Sequence, residues 1–552
     1  MPVRQIRSLW SRLSIGFRAA TERSGNAAGR CWPALAVLAA LAPSAWLAWN
    51  FRDMPHLGWY HDDTVYWVTA QSIAQGSGYR IPSLPGQPHQ TKYPPLYPLL
   101  LAVVWKAAPS FPDNLRPALL VNWLTLPLWI VAARWLLRDL GLGPRASWGL
   151  AAALALSPVT VLLSVTLMSD LLFCVLLFGA LACLRRADRG WVVAAAGLLG
   201  GLAYLTRAAA LPLLAAGPLW LLSRRRSRHA VLFLAAMVPA VAGWTLWVRS
   251  HLRPSTDLVT LYYTDYFGYQ LQNVSWGDLP TLVSKNVAFL LVSIAQLLTS
   301  QAGDLYWRLF ACAAIAGTVR LARTRGLGPC HLYGLLLLPL VVVCAWPPEA
   351  RSLLPVFPLL AAGLWCELGH LIGMLETAWR GGRPALAAVI GGLLVASGAA
   401  ALLHLGNTLF RFLPETFVDR RQLLAAERGA YRWIDQELPA DARFLAYDDT
   451  LLYLHTGRAA CSVRVPTKFY YQEDGEAFVR LHSRLDEFAA SHGLRYLVAT
   501  KEDYYRGEVP AAFRAKARQA AEKAYQTRRV YGGGPVSVYK LIGEESSYAF
   551  TF

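Results

Sequence analysis

Long runs without charged residues recur along the chain, and they constrain its fold more than any other feature. The first run, from Trp32 to Asn50, contains no Asp, Glu, Lys or Arg. A helix needs about 20 apolar residues to cross about 30 Å of hydrocarbon. The composition agrees, since 55% of the 552 residues are hydrophobic and 16% are charged. The sequence therefore predicts an α-helical polytopic membrane protein and excludes disordered and collagen-like chains.

Two of the later runs are too long for a single crossing. Residues 146–184 would measure about 58 Å as one helix, so we expect a hairpin with Asp170 near its far end. Residues 190–223 predict a second hairpin with Arg207 near its midpoint. The remaining runs cover residues 117–133, 229–248, 305–319, 331–346, 352–375 and 384–406.

The formal charge of +19 comes from arginines that lie between the apolar runs. Because they are not collected in one basic domain, we expect no nucleic-acid partner. The positive-inside rule places such clusters in the cytoplasm of a cell. Arg-rich residues 1–31 therefore predict a cytoplasmic N-terminus in front of an uncleaved anchor. The clusters are Arg134, Arg138 and Arg145; Arg185, Arg186 and Arg189; Arg224, Arg225, Arg226 and Arg228; Arg320, Arg323 and Arg325; and Arg380 and Arg383.

This orientation requires that two further apolar segments do not cross the membrane. Residues 94–108 carry three prolines within five positions, which favours an amphipathic helix on the outer surface. Residues 286–303 are long enough for a span. Counting them as a crossing would turn the later arginine clusters outward, so we expect that they do not cross. The result is about eleven spans, with the N-terminus inside and the C-terminus outside.

The chain divides into three predicted parts. These are a cytoplasmic N-terminus at 1–31, a transmembrane domain at 32–410 with outer loops 51–116 and 249–304, and a soluble extracytoplasmic α/β domain at 411–552.

The α/β prediction for the last part follows from its pattern. Helical stretches such as 427–437 alternate with short apolar runs at 444–447, 496–499 and 536–541. Residues 532–534 are three glycines that predict a turn and no phosphate loop. Seven of the eight cysteines lie in or beside apolar runs, so neither a disulfide framework nor a zinc site is expected.

The first outer loop holds the most informative polar residues. Asp62 and Asp63 are adjacent, and two like charges near hydrocarbon indicate a base, a metal ligand or a cation site. Capping of a helix that runs to Ala74 explains the same pair equally well. Lys92 is one of eight lysines and can contact a phosphate, but snorkelling to the interface is the simpler explanation.

Three further charges lie at predicted outer ends of helices. Asp170 can be a helix cap or a carboxylate that faces a cavity. Arg207 and Arg351 oppose the charge bias of the chain, which an anionic lipid phosphate would explain; Arg351 can also pair with Glu349. Five aromatic residues between 262 and 269 either stack on a sugar or belong to the interfacial belt. No P-loop or glycine fingerprint is present.

Together these motifs resemble the GT-C superfamily of integral membrane glycosyltransferases, which use lipid-linked sugars. The superfamily includes protein O-mannosyltransferases and the transferase that puts aminoarabinose on lipid A. The resemblance covers roughly residues 32–375. It rests on Asp62-Asp63-Thr64-Val65-Tyr66, Gly76-Ser77-Gly78-Tyr79, Lys92-Tyr93-Pro94-Pro95-Leu96-Tyr97-Pro98, Met168-Ser169-Asp170, Leu205-Thr206-Arg207 and Arg351-Ser352-Leu353-Leu354-Pro355.

The resemblance implies roles for particular residues. Asp62 matches the acidic residue that acts as general base on the acceptor hydroxyl. Asp63 matches the second acidic position, where the family commonly has Glu, and a divalent metal at this pair is an open expectation. The expected donor-phosphate contacts are Lys92, Arg207 and Arg351, and the further substrate-binding candidates are Tyr66, Tyr93, Asp170, Tyr263 and Asp265.

The resemblance also implies an activity. The expected reaction transfers a hexose or pentose from a polyprenyl-phosphate donor to an envelope lipid, polysaccharide or protein, by direct inverting displacement. The expected location is the outer face of a bacterial inner membrane. A lipid-linked glycan polymerase or ligase stays open as an alternative, as does a transporter or receptor without catalysis.

Overall fold

The computed structural model describes most of the chain. Its described residues are 28–272, 274–301, 305–472, 474–500, 511–525, 528–533 and 535–541. The predicted cytoplasmic segment 1–31 lies almost entirely outside these residues. Helices make up most of the described chain, and the predicted class of a helical polytopic membrane protein is confirmed.

Within the described residues, seven helical runs are long and apolar enough to cross a membrane. A bent pair, Pro144–Ala155 and Pro158–Ser164, adds an eighth if its two helices, which meet at 69°, form one span. The seven are Trp32–Asn50, Leu115–Asp139, Ser227–His251, Trp276–Thr299, Leu305–Arg325, Ala350–Arg380 and Pro384–Glu437. Shorter apolar helices are Leu96–Ala107, Gly190–Thr206, Ala208–Ser223 and Pro329–Val343.

The individual helices are numbered here along the chain. Those before the C-terminal part are α1 (Ala28–Asn50), α2 (Asp62–Ala74), α3 (Leu96–Ala107), α4 (Leu115–Trp123), α5 (Thr125–Asp139), α6 (Pro144–Ala155), α7 (Pro158–Ser164), α8 (Asp170–Arg185), α9 (Gly190–Thr206), α10 (Leu213–Ser223), α11 (Ser227–His251), α12 (Leu258–Thr264), α13 (Tyr266–Leu271), α14 (Leu279–Thr299), α15 (Leu305–Arg325), α16 (Pro329–Val343), α17 (Phe357–Arg380) and α18 (Pro384–Asn407). Short 3-10 segments cover Ala208–Ala210, Trp276–Asp278 and Ala350–Val356.

Both predicted hairpins are present. The first turns between α7 and α8, and Asp170 is the first residue of α8. The second turns after α9, where Arg207 directly follows Thr206 in extended conformation. The two charges therefore lie where helices end, as expected from the lengths of the apolar runs.

Several arginine clusters meet at the opposite ends of these helices. Arg186 pairs with Asp139 at 2.8 Å, and Arg226 pairs with Asp188 at 2.8 Å. Arg325 donates to the carbonyl of Leu140 at 2.6 Å. The basic loops after α5, α8, α10 and α15 are thereby joined at one end of the bundle, which is the segregation that the positive-inside rule requires.

The helix α14 is long enough to cross, but its contacts place it beside the outer ends of its neighbours. Asn286 donates to the carbonyls of Val342 at 2.8 Å and Cys344 at 2.7 Å, and Ser293 donates to the carbonyl of Pro348 at 2.6 Å. These carbonyls lie just before Arg351. By length and composition the run Trp276–Thr299 could still cross the membrane, so the expectation that residues 286–303 do not cross stays a prediction.

The helix α3 keeps both ends on one side. Its 12 residues span about 18 Å, well short of the hydrocarbon thickness. Phe111, which follows it, packs on His455 of the C-terminal part with ring centroids 4.9 Å apart. The segment thus starts after Lys92 and returns to the same side of the molecule.

The C-terminal part is a small α/β domain, as the sequence pattern predicts. The helix α18 continues through the π-helical turn Thr408–Phe412 into α19 (Leu413–Glu437), so the predicted boundary at 410/411 falls inside one continuous helical run. The other helices are α20 (Asp449–Thr456), α21 (Lys468–Gln472), α22 (Gly475–His482), α23 (Leu485–Ser491) and α24 (Ala511–Tyr525).

One mixed sheet organises this domain. Its strand order is β2-β1-β3-β5-β4, with β1 parallel to β2 and β3, and β5 antiparallel to β3 and β4. Of the predicted glycine turn, Gly532 and Gly533 belong to β4, and Gly534 lies outside the described residues. The strands are β1 (Phe444–Ala446), β2 (Ala460–Cys461), β3 (Tyr496–Thr500), β4 (Arg529–Gly533) and β5 (Val536–Lys540).

The C-terminal domain is docked on the first outer loop. Arg420 pairs with Asp448 at 3.0 Å and packs against Gly58. Gly58 has a φ of +77°, and a Cβ atom there would lie 2.2 Å from the Arg420 guanidinium. Only glycine permits both the backbone conformation and this close approach. The amide of Ala460 in β2 also donates to the carbonyl of Ser83 at 2.9 Å.

Cysteine labelling in intact cells will test these placements. In a variant without its own cysteines, we expect Thr256→Cys and Gln301→Cys to react with a membrane-impermeant maleimide. Arg189→Cys and Arg323→Cys should react only after permeabilisation, because basic loops stay in the cytoplasm. Protection of position 301 with labelling at 256 would show instead that α14 crosses the membrane.

Candidate functional site

Asp62 is the first residue of α2, at the end of the bundle opposite to the arginine clusters. One carboxylate oxygen accepts a hydrogen bond of 2.5 Å from the Tyr93 hydroxyl. The other lies 3.2 Å from the guanidinium of Arg351. The chain reaches Arg351 through the 3-10 segment Ala350–Val356, so a residue 289 positions away meets the first outer loop.

Burial alone would raise the pKa of the Asp62 carboxyl, because a charge is costly in a dry site. Arg351, Lys92 and the Tyr93 hydroxyl outweigh this effect and hold the pKa of Asp62 well below its ordinary value. Asp62 is therefore a carboxylate at neutral pH. In this ion-paired arrangement it accepts protons poorly.

Lys92 lies among tyrosine rings. Its ammonium nitrogen is 3.8 Å from the ring centroid of Tyr262, 4.8 Å from that of Tyr93 and 5.3 Å from that of Tyr266. Burial, together with Arg464 and Arg351, lowers the pKa of Lys92 to about 7, and the nearby Asp62 only partly opposes this. The cation–π contacts favour the charged form but do not replace a hydrogen-bond acceptor.

Asp170 and Arg207 form a second pair beside the first. Their side chains are 2.7 Å apart, and Asp170 is almost fully buried. Arg207 also reaches the Ser169 hydroxyl at 3.3 Å, which in turn lies 3.1 Å from the Tyr66 hydroxyl. This pair lies close to Asp62, Lys92 and Arg351. The charge of Arg207 helps to lower the pKa of Asp62, and the charge of Asp170 attracts that of Arg351.

The Asp63 side chain is directed to backbone amides, and the catalytic role that the resemblance implies for it stays a prediction. Its side chain is fully buried and accepts hydrogen bonds from the amides of Trp59 at 3.0 Å and Thr64 at 2.7 Å. The first turn of a helix exposes such amides. For Asp63 the capping interpretation therefore fits the geometry, whereas Asp62 faces the cations.

Tyr263 and Asp265 also lie outside the cluster around Asp62. Asp265 accepts from the amide of Gly268 at 2.9 Å and caps α13. The Tyr263 hydroxyl donates to Asp449 of the C-terminal domain and is 2.9 Å from His61. Both side chains satisfy local or interdomain hydrogen bonds, and their substrate-binding roles stay predictions.

The sequence did not indicate a buried polar junction between the first loop and the C-terminal domain. His61 lies 3.1 Å from Asp449 and 3.0 Å from the guanidinium of Arg464. The hydroxyls of Thr64 and Thr450 also contact each other. In the sequence, only the position of His61 next to Asp62 could have indicated this junction. The residues around Asp449 and Arg464 form no pattern that points to a buried polar contact.

The aspartate pair does not fit a metal site as it stands. Asp62 is bound by Tyr93 and Arg351, and Asp63 is directed to backbone amides. Among the described residues, no three His, Cys, Asp or Glu side chains form a metal-binding group. We therefore derive no step through a metal.

The bundle and its C-terminal domain have the fold of GT-C membrane glycosyltransferases. Archaeal oligosaccharyltransferase AglB from Archaeoglobus fulgidus superposes with a TM-score of 0.50 at 13% identity, covering 91% of this chain and 73% of that chain. This likeness confirms the predicted GT-C fold, and at such an identity it concerns the fold alone.

Two other solved structures resemble the chain. ArnT from Cupriavidus metallidurans, bound to undecaprenyl phosphate, has a TM-score of 0.49 at 14% identity over 94% of this chain and 99% of its own. Arabinofuranosyltransferase AftD from Mycobacteria has a TM-score of 0.45 at 15% identity over 96% of this chain and 42% of its own. No protein-family model and no curated protein matches the sequence.

The hydrogen bonds of Asp63 predict that replacing this residue lowers the stability of the fold. Asp63→Ala leaves the buried amide of Thr64 and the partly buried amide of Trp59 without their acceptor, so we expect the free energy of unfolding to fall by about 1–3 kcal/mol. The midpoint of thermal unfolding in detergent measures this, with Asp113→Ala in an exposed part of the same loop as control. If the midpoint does not change but activity is lost, the result supports a catalytic role for Asp63.

Proposed function

We propose that the chain transfers a sugar from a polyprenyl-phosphate donor to an acceptor lipid, polysaccharide or protein of the cell envelope. The observation that carries this proposal is the contact of Asp62 with Arg351 next to Lys92, at the outer end of a membrane bundle. A base beside unneutralised positive charge suits a reaction in which a hydroxyl loses a proton while a phosphate leaves.

The fold supports this donor class. AglB, which shares the fold, was solved with an inhibitory peptide and a dolichol-phosphate, so such a bundle can hold a polyprenyl phosphate. We place the arginine-rich ends in the cytoplasm and the site on the outer face of a bacterial inner membrane. The sugar is a hexose or pentose in this proposal, and the acceptor is a component of the envelope.

The proposed reaction is one direct displacement. Asp62 takes the proton of the acceptor hydroxyl, whose oxygen forms a bond to the anomeric carbon. The bond from that carbon to the phosphate oxygen breaks, and its electron pair stays on the phosphate. Attack from the opposite side inverts the anomeric centre. Lys92, Arg207 and Arg351 stabilise the growing negative charge on the phosphate.

Donor binding also explains how Asp62 becomes a competent base. In the ion pair with Arg351, the pKa of the carboxyl is too low for efficient proton transfer. A donor phosphate that draws Arg351 toward itself weakens that pair and raises the basicity of Asp62. The base is then strongest when the leaving group is in place, which limits hydrolysis in its absence.

Asp62→Asn tests the base directly. We expect transfer of the sugar to fall by at least about 100-fold at equal membrane abundance, since asparagine cannot accept the proton. Mass spectrometry of envelope lipids, polysaccharides and glycoproteins will follow the hexose- or pentose-sized increment in wild type, a deletion strain and the variant. Asp113→Asn, an exposed change in the same loop, is the matched control.

Each result of that comparison is informative. Loss of one increment in both the deletion and Asp62→Asn establishes a glycosyltransferase and reveals the sugar and the acceptor. A deletion that changes the envelope while Asp62→Asn does not would refute the base and favour a transporter or receptor. Retention at the anomeric centre would exclude direct displacement.

The lowered pKa of Lys92 predicts that donor binding depends on pH. Its pKa of about 7 means that it is charged below pH 7 and loses its proton as the pH rises above that value. Affinity for a phosphodiester donor, which does not titrate here, should be full below pH 7. Above it, affinity should decrease by up to about tenfold per pH unit.

The control for this pH profile keeps the positive charge. Lys92→Arg should give an affinity that does not change between pH 6 and pH 9, because arginine stays protonated. Lys106→Arg, at an exposed lysine, should retain the wild-type profile. A wild-type profile without any slope would show that the charge of Lys92 does not contribute to binding.

A further inference from the structure

Two cations from distant parts of the chain contact the ring of Tyr262. The ammonium nitrogen of Lys92, from the first outer loop, is 3.8 Å from its centroid. The guanidinium carbon of Arg464, from the segment after β2, is 3.5 Å from the same centroid. The C-terminal domain thus places a positive charge beside the residues around Asp62.

Neither cation has a carboxylate within ion-pair distance in the described part of the chain. The Lys92 ammonium has no hydrogen-bond acceptor there, and its neighbours are aromatic rings. The Nε atom of Arg464 is buried without a hydrogen-bond partner. Arg464 otherwise contacts the imidazole of His61 at 3.0 Å and the hydroxyl of Tyr263 at 3.5 Å through Nη2.

Arg207 and Arg351 differ from this pair. Arg207 is matched by Asp170 at 2.7 Å, and Arg351 is matched by Asp62 at 3.2 Å and Glu349 at 3.0 Å. Their charges are largely neutralised within the protein. Lys92 and Arg464 therefore add positive charge that no carboxylate of the described chain contacts, beside the two arginines that the proposed function also assigns to the phosphate.

The two cations around one ring repel each other, and burial makes that repulsion stronger than in water. Asp62 near Lys92 and Asp449 near Arg464 offset part of it without forming an ion pair with either cation. A stable fold keeps such an arrangement when a bound anion relieves it. Because they lie 3.8 Å and 3.5 Å from one ring centroid, the Lys92 nitrogen and the Arg464 guanidinium carbon are at most about 7.3 Å apart, a gap that the oxygens of one phosphate at the ring edge can bridge. Arg464 still has an unused N–H donor for an oxygen, and Lys92 has all its donors free.

This inference rests on the proposed function. We propose that Lys92 and Arg464 together bind the phosphate of the lipid-linked donor, so that the C-terminal domain supplies part of the donor site. When the bond to the sugar breaks, the phosphate changes from a diester to a monoester and gains negative charge. The two cations stabilise that charge at the leaving group.

Binding to the full-length chain in nanodiscs of neutral lipid will test the shared site. The probes are a polyprenyl phosphate and the same polyprenol without phosphate, and we expect wild type to prefer the phosphate. Arg464→Gln should weaken phosphate binding by about tenfold or more and leave polyprenol binding unchanged. Arg464→Lys should retain most of the affinity, and Arg484→Gln, at an exposed arginine of the same domain, all of it.

A double-mutant cycle separates a shared phosphate from a general effect on folding. If Lys92 and Arg464 bind the same group, Arg464→Gln should cost clearly less in a Lys92→Gln background than in wild type. Independent effects that multiply would overturn the shared site, even if Arg464→Gln lowers thermal stability. The thermal midpoint of each variant is measured alongside.

The failure of this inference and that of the proposed function give different results. A wild type that prefers polyprenyl phosphate, together with an Arg464→Gln variant of equal preference, would refute the role of Arg464 alone. A wild type that binds both lipids equally would refute the donor class itself. Inorganic phosphate that competes as well as the lipid would show a free-phosphate site instead of a donor site.

Discussion

The cost of a charge in hydrocarbon governs this structure. Apolar runs fix where the chain can cross, and charged side chains collect at the two ends of the bundle, where several of the buried ones form ion pairs. Asp170 with Arg207 and Asp62 with Arg351 are such pairs. Each depends on a break in helical structure at the membrane boundary, either a hairpin turn or the 3-10 segment before α17.

The C-terminal domain extends the same electrostatic arrangement beyond the membrane. Its buried Asp449 contacts His61, the residue before Asp62, and Arg420 contacts the loop at Gly58. Buried polar groups require partners, so the loop conformation and the docking of the domain stabilise each other. The domain is therefore part of the candidate site and more than a cover over it.

The sequence predicted those features that depend on length and local pattern. Two apolar runs too long for one helix predicted both hairpins. The single charges near their turns identified Asp170 and Arg207 as candidate functional residues. Alternating short elements gave the α/β character of the C-terminal domain. Family likeness of the Asp-Asp and Lys-Tyr-Pro-Pro motifs pointed to Asp62 and Lys92, which the fold brings near Arg351.

Other features depend on contacts that no local pattern contains. Asp62 and Asp63 are equivalent in sequence, and only the direction of each side chain separates a group facing cations from a helix cap. His61 and Asp449 are 388 positions apart, so neither periodicity nor spacing relates them. The same holds for Arg464, whose neighbours in sequence give no sign of its position near Tyr262.

The unbroken helical run from the last span into the C-terminal domain has a mechanical consequence. Residues 384–437 form one run of 54 helical residues that joins the last span to the C-terminal domain through the π-helical turn Thr408–Phe412, so we expect the orientation of the span and that of the domain to be coupled. A thicker or thinner bilayer tilts a span to match its apolar length. Such a tilt swings the helical run and changes the distance between Arg464 and the lipid headgroups. Lipid composition therefore acts on this site through geometry, without any molecule bound to it.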